Sequence, residues 1–153
     1  MNRILALACC SALLAACGGG SDAPPPPPLP NPGEPNETFE TATPISIGTP
    51  VVATISEQLE PDYYRFTVPT GGATVRFQTF DAGGTACDPV NGGVDPRIDV
   101  FDGARGPLGF DDDGGLPPWC EDLTLTLAEG TNYVLVSGWN PTPFVYTLKL
   151  TAL

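Results

Sequence analysis

Histidine is absent from this 153-residue chain, and lysine and methionine occur once each, as Lys149 and Met1. Without an imidazole, neither a histidine-assisted nucleophile nor a histidine-ligated metal can be assembled. Acid-base chemistry would fall to carboxylates such as Asp99 and Asp102, and those positions read as strand and turn residues, so no enzyme is expected. Positive charge is scarce as well. Six cationic side chains stand against 18 acidic ones, a net charge of −12, and a surface of that sign repels nucleic acid and anionic head groups. The apolar run from Ile4 to Leu14 is about 11 residues long, well short of the ~20 that a membrane-spanning helix needs. Beyond residue 34 no segment keeps a helical period long enough to count.

What is present begins with an export signal. Met1-Asn2-Arg3 precedes the apolar run, which ends in Leu14-Ala15-Ala16-Cys17; this is a secretory leader and not part of the fold. The small residues before Cys17 resemble the lipobox of bacterial lipoproteins, which implies acylation of Cys17 and a membrane partner reached through its lipid. Stable anchoring takes more than one acyl chain, and lipoproteins of this kind carry a second. Gly18 stands where inner-membrane retention is associated with aspartate, so the expected destination is the outer membrane. The chain then divides into a signal peptide, 1–16, a lipidated cysteine with a Gly/Pro-rich tether, 17–35, and a folded domain, 36–153. Prolines 24 to 28, with Pro30, Pro32 and Pro35, favour an extended rod. At about 3.1 Å per residue, residues 24–35 reach roughly 35–40 Å.

Five cysteines are present. Cys9 and Cys10 leave with the leader and Cys17 takes the lipid, so Cys87 and Cys120 remain. In an oxidising compartment they are most simply a disulfide, two free buried thiols being the alternative.

The folded part alternates apolar and polar residues in short runs separated by glycine and proline, an all-β pattern. The clearest run is Asp62-Tyr63-Tyr64-Arg65-Phe66-Thr67-Val68, with Tyr64, Phe66 and Val68 on one face and Tyr63, Arg65 and Thr67 on the other. Further strands are expected over 51–56, 74–80, 97–101, 123–128, 133–138 and 144–151, with a short piece at 108–110. Alternation turns Val75, Phe77, Ile98, Val100, Leu123, Leu125, Leu127, Val134, Val136, Tyr146, Leu148 and Leu150 inward. Two packed antiparallel sheets follow. Tyr133-Val134-Leu135-Val136 is apolar on both faces, which suits a central strand partly covered on its outer side. Thr38 to Ile47 is limited to a turn by Pro44.

Acidic groups gather in two places. Glu60 and Asp62 stand at the mouth of the Asp62 strand, where they could hold a cation. Asp111-Asp112-Asp113-Gly114-Gly115 reads either as a cation loop through Asp111 and Asp113 or as a plain hairpin turn. Aromatics that would lie on a sheet face or in loops, Tyr63, Phe80, Phe101, Trp119 and Trp139, suit contact with a polysaccharide or an extended protein segment; Tyr63, Trp119 and Trp139 are the candidate ligand-binding residues.

The succession Glu34-Pro35-Asn36-Glu37-Thr38, Asp62-Tyr63-Tyr64-Arg65-Phe66, Asp95-Pro96-Arg97-Ile98-Asp99-Val100-Phe101-Asp102, Asp111-Asp112-Asp113-Gly114-Gly115, Gly130 to Gly138 and Tyr146-Thr147-Leu148 resembles the bacterial pre-peptidase C-terminal domain family. The resemblance implies an all-β, antiparallel, jelly-roll-like β-sandwich of about 7–9 strands, of a kind appended to secreted peptidases, and here the domain is expected to stand alone on its tether. It also implies a calcium site from Glu34, Asn36, Glu37 and Asp62, with Glu60 as a substitute ligand. Calcium takes six to eight hard oxygens, which these side chains and a few carbonyls could supply. The expectation is a non-catalytic, calcium-stabilised envelope lipoprotein that binds a polysaccharide or protein, or alternatively a structural spacer or assembly subunit with no ligand of its own.

Overall fold

The computed structural model describes residues 31–56, 60–84, 86–87, 94–115, 119–139 and 143–153; the leader, Cys17 and most of the tether lie outside them. Among the described residues nine strands form: β1 (Thr43–Pro44), β2 (Val51–Ile55), β3 (Asp62–Val68), β4 (Ala73–Asp81), β5 (Pro96–Phe101), β6 (Pro107–Asp111), β7 (Asp122–Leu127), β8 (Gly130–Gly138) and β9 (Phe144–Ala152). They pair into a five-stranded sheet, β1-β3-β8-β5-β6, and a four-stranded sheet, β2-β9-β4-β7. Every ladder is antiparallel except β1 on β3, a two-residue parallel pairing of Thr43 with Tyr64 and Pro44 with Arg65. The fold is therefore an all-β sandwich.

Period-two burial explains why these runs become strands. In β3, Asp62, Tyr64, Phe66 and Val68 are buried and Arg65 and Thr67 exposed. Facing them are Phe77 of β4 and Tyr146, Leu148 and Leu150 of β9, all at most 1% exposed. Phe66 and Phe77 meet across the two sheets edge-to-face, ring centroids 5.6 Å apart. Each fully buried side chain of this size contributes about 1.5–3 kcal/mol of burial, and the layers interleave because both inner faces are apolar on the same period. Leu127 is buried as expected, whereas Leu123 and Leu125 are only partly so. They belong to β7, an edge strand, where the opposite sheet supplies only β6.

β8 lies at the middle of its sheet, and the ring that covers its outer face comes from the turn before β1. Phe39 packs edge-on against Tyr63, Phe101 and Tyr133 at 4.7, 5.2 and 5.2 Å. Arg105 lies over the same ring at 5.1 Å and pairs with Glu40 at 2.6 Å. The segment expected to be no more than a turn thus carries a capping ring and, at Thr43–Pro44, a short edge strand. Pro44 is tolerated there because an edge strand has a side without ladder partners. Tight connections set the sheet lengths. Gly72 takes φ +79°, and a Cβ there would lie 2.7 Å from the Leu127 carbonyl oxygen, so only glycine turns this corner into β4.

Cys87 and Cys120 form a disulfide 33 residues apart in sequence. It joins the segment after β4 to the one before β7, and both cysteines are buried.

Candidate metal centre

The first acidic group does come together. β3 begins at Asp62, two residues after Glu60, and the chain before β1 runs along the same end of that strand, where the Tyr63 N–H donates to the Asn36 carbonyl at 2.8 Å. Lower down, the Ile45 N–H donates to the Arg65 carbonyl at 2.9 Å. This pairing brings Glu34, Asn36 and Glu37 to the mouth of β3. The entering chain is tied in from residue 33 onward, since the Thr43 hydroxyl donates to the Gly33 carbonyl at 3.1 Å. Ligand oxygens of Glu34, Glu37 and Glu60 lie within 4.8 Å of one another, Glu34 exposed and the other two half-buried.

Beneath them is a fully buried layer. Asp62 and Asn36 are both 0% exposed. The Asn36 amide nitrogen, turned toward the acids, donates to Asp62 Oδ1 at 3.1 Å and to the two Glu34 oxygens at 3.0 and 3.2 Å. The Asn36 N–H also donates to Glu34 Oε2 at 3.2 Å. From the opposite sheet the Tyr146 hydroxyl donates to Asp62 Oδ2, and the Tyr64 and Tyr146 hydroxyls are hydrogen-bonded at 2.6 Å. The Ser56 hydroxyl donates to Glu60.

Burial pushes the Asp62 carboxyl up to about 7; the Tyr146 hydrogen bond opposes this, while the charges of Glu34 and Glu60 add to it. Glu34 is raised by burial and then by Glu37, and the Tyr64 and Tyr146 phenols are raised mainly by burial. Four carboxylates at one end of a strand repel one another. A cation relieves that repulsion and draws Asp62 back to its charged form. The donors are all oxygen, as a hard cation requires. Turning the Asn36 amide about would set its oxygen in place of its nitrogen, facing both acids, an arrangement stable only around a cation. Three cationic side chains are held elsewhere: Arg76 by Asp122, Arg97 by Asp99 and Asp112, and Arg105 by Glu40.

The second acidic group is looser. Asp111 ends β6, Asp112 and Asp113 follow in a bend, and Asp113 takes φ +73°. Asp113 is raised by burial, then by Asp112 and Asp111; Asp95 is raised by burial, then by Asp113 and Asp112. Among the described residues, only Glu34, Glu37 and Glu60 form a set of three or more with ligand atoms within 4.8 Å. Sequence reading missed Glu121 here. It is 1% exposed, with neither carboxyl oxygen hydrogen-bonded to another residue, and burial pushes it up to about 9; its own main-chain N–H opposes the shift, and the charges of Asp111, Asp113 and Asp112 add to it. The signal was its parity: it shares the inward register of Leu123, Leu125 and Leu127.

Of the candidate aromatics, Trp119 and Trp139 are exposed, 43% and 62%. Tyr63, Phe80 and Phe101 are half-buried, Tyr63 and Phe101 beneath Phe39. Phe110, 61% exposed, adds a ring that was not expected, with Arg97 over it at 4.6 Å. Asp99 accepts two bonds from Arg97 at 3.0 Å, and Asp102 Oδ1 accepts the Ala104 and Gly106 N–H groups at 2.9 and 2.7 Å. Both serve strand and turn. Cys17 lies outside the described residues.

No family model and no curated protein matches this chain. Among solved structures it is similar to the pre-peptidase C-terminal domain of a collagenase from Bacillus anthracis, with a TM-score of 0.56 at 12% identity over 72% of this chain and 94% of that one. It is also similar to CorA, a surface-associated copper-binding protein important in copper acquisition by Methylomicrobium album, with a TM-score of 0.48 at 12% identity over 72% and 98%. At such identities the likeness is one of fold, and the chain shares the sandwich of the pre-peptidase C-terminal domain.

Proposed function

We propose that the chain is a non-catalytic lipoprotein module of the bacterial envelope. Cys17 holds it to the outer membrane, the Gly/Pro-rich tether to residue 35 sets its distance, and a calcium-stabilised sandwich presents loops to a polysaccharide or protein. The observation that carries the calcium part is the convergence of Glu34, Glu37 and Glu60 above buried Asp62 and Asn36. Glu34, Glu37, Glu60 and Asp62 would supply charge to the ion, and the Asn36 side-chain oxygen a neutral ligand. The ion would fix the entering chain to β3, so its role is mechanical.

The binding part draws support from Trp119 and Trp139, both exposed. The spacer reading draws support from Phe39, which covers the outer face where Tyr63 and Phe101 would otherwise be offered. The test is thermal melting with calcium and with chelator, on the parent and on Asp62→Asn. Calcium is expected to raise the parent midpoint and to raise that of the variant by less; a parent that melts identically in both buffers would remove the calcium reading. Tryptophan emission separates binder from spacer: quenching by a polysaccharide or matrix protein that disappears in Trp139→Ala supports the binder. A response to no ligand, with one stoichiometric envelope protein recovered on pull-down from intact membranes, supports the spacer.

A further inference from the structure

The corner between β6 and β7 contains a carboxylate that sandwich packing does not explain. Glu121, immediately before β7, is almost wholly buried, and neither of its side-chain oxygens has a hydrogen-bond partner. Its main chain is held fast: the Glu121 N–H donates to Thr79 Oγ1 at 3.1 Å and its carbonyl accepts the Thr79 N–H at 3.3 Å. Strand parity sets its side chain on the inner face with Leu123 and Leu125. Those leucines reach β6, because a side chain at Gly109 would meet the Leu125 methyls at 3.2 and 3.3 Å. One inward step further along β6 is Asp111, which opposes the buried Ile98. One inward step back along β7 is Glu121. The two acids therefore face the same corner, and Asp111 already bridges it, its Oδ2 accepting the Asp122 N–H at 2.7 Å.

The rest of the corner is equally acidic. The loop after Asp111 returns through a hydrogen bond from the Gly115 N–H to the Cys120 carbonyl, 2.7 Å, and Cys120 is fixed by its disulfide. Asp113 rides on this loop. Arg97 extends toward it but is occupied by Asp99 at 3.0 Å, reaching Asp112 only at 3.8 Å. An unpaired carboxylate is among the costliest groups to bury, and proteins compensate it with hydrogen bonds, a cationic partner or a metal ion. No hydrogen-bond partner is present among the described residues, and the charges that act on it are those of Asp111, Asp113 and Asp112.

We propose that Glu121, Asp111 and Asp113 bind a second hard divalent cation of the calcium type, independent of the centre at Glu34 and Asp62. All the donors are oxygen, which excludes a soft metal. The three carboxylates are not gathered within 4.8 Å as Glu34, Glu37 and Glu60 are, so a bound ion would bring their oxygens closer together.

Equilibrium dialysis of the intact chain against labelled calcium counts the ions. The parent is expected to hold two ions, Glu121→Gln one, Asp62→Asn one, and the double variant none. A Glu121→Gln protein that binds as much calcium as the parent overturns the proposal. A parent with a single ion, lost in Asp62→Asn but kept in Glu121→Gln, overturns it and spares the first centre; loss in Glu121→Gln alone does the reverse. No bound ion in the parent overturns both. Should Glu121→Gln fail to fold, Asp113→Asn on the exposed loop serves instead. It is expected to weaken one ion at least tenfold, and unchanged affinity for both ions counts against the site.

Discussion

At the level of Asp62 the five-stranded sheet runs sideways through Val136 and Ile98 to Asp111. Two inward aspartates thus stand at opposite margins of one row, separated by two buried apolar residues and about 14 Å at three strand spacings. Each is met from the other sheet, Asp62 by the Tyr146 hydroxyl and Asp111 by the Asp122 N–H. The margins differ in what surrounds them. Asp62 is wrapped by Asn36 and Tyr146, with three carboxylates gathered above it, whereas Asp111 shares its corner with a buried glutamate that has no partner. Acidity alone does not make a site. The near margin gathers three carboxylates within 4.8 Å of one another, and the far margin does not.

The largest way to break this comparison is pH. In chelator, both Asp62, raised to about 7, and Glu121, raised to about 9, hold protons in the folded state that the unfolded chain has already released. Stability should therefore fall as pH rises from 4 toward 9, the Asp62 part being complete near 7 and the Glu121 part continuing beyond. Calcium should flatten that slope, by holding both acids in their charged form. Urea denaturation at pH 5, 7 and 9 reads it, and stability that rises over this range would contradict the assignment of both buried acids.

Next in size is the disulfide. Replacing Cys87 and Cys120 with serine should cost about 3–4 kcal/mol for a loop of this length. It should loosen the far margin while leaving the calcium response of the near one, which two melting curves with calcium and chelator would show. Tyr146→Phe should cost about 1–3 kcal/mol in chelator by taking a donor from Asp62. The same substitution at Tyr64, whose hydroxyl bonds Tyr146, should cost less. Smallest is Phe39→Ala, at about 1–2 kcal/mol for removing its edge-to-face ring packing. It should increase the solvent exposure of Tyr63 and Tyr133, seen as stronger quenching of tyrosine emission by acrylamide.

Most of the sandwich was legible because its signal is local. Tyr64, Phe66 and Val68 alternate with polar residues, and burial alternates with them. β1 was not legible, since two residues with a proline have no period and pair only because the chain entering the near margin runs beside β3. Phe39 looked like part of a turn, and its role depends on Tyr63, Phe101 and Tyr133 from three separate strands. At the near margin, the acidic residues were readable from their order, but the packing of Asn36 and Tyr146 that buries Asp62 was not. Glu121 was hidden for the opposite reason: a charged residue beside a cysteine reads as loop, and only the register of Leu123, Leu125 and Leu127 turns it inward.

The most direct measurement is a crystal structure grown in calcium, with the ion identified by anomalous scattering. The account predicts a peak at 2.3–2.6 Å from oxygens of Glu34, Glu37, Glu60 and Asp62, the range typical of calcium, with the Asn36 oxygen turned toward it. Water in that position, with the Asn36 nitrogen still donating to Asp62 and Glu34, would contradict it.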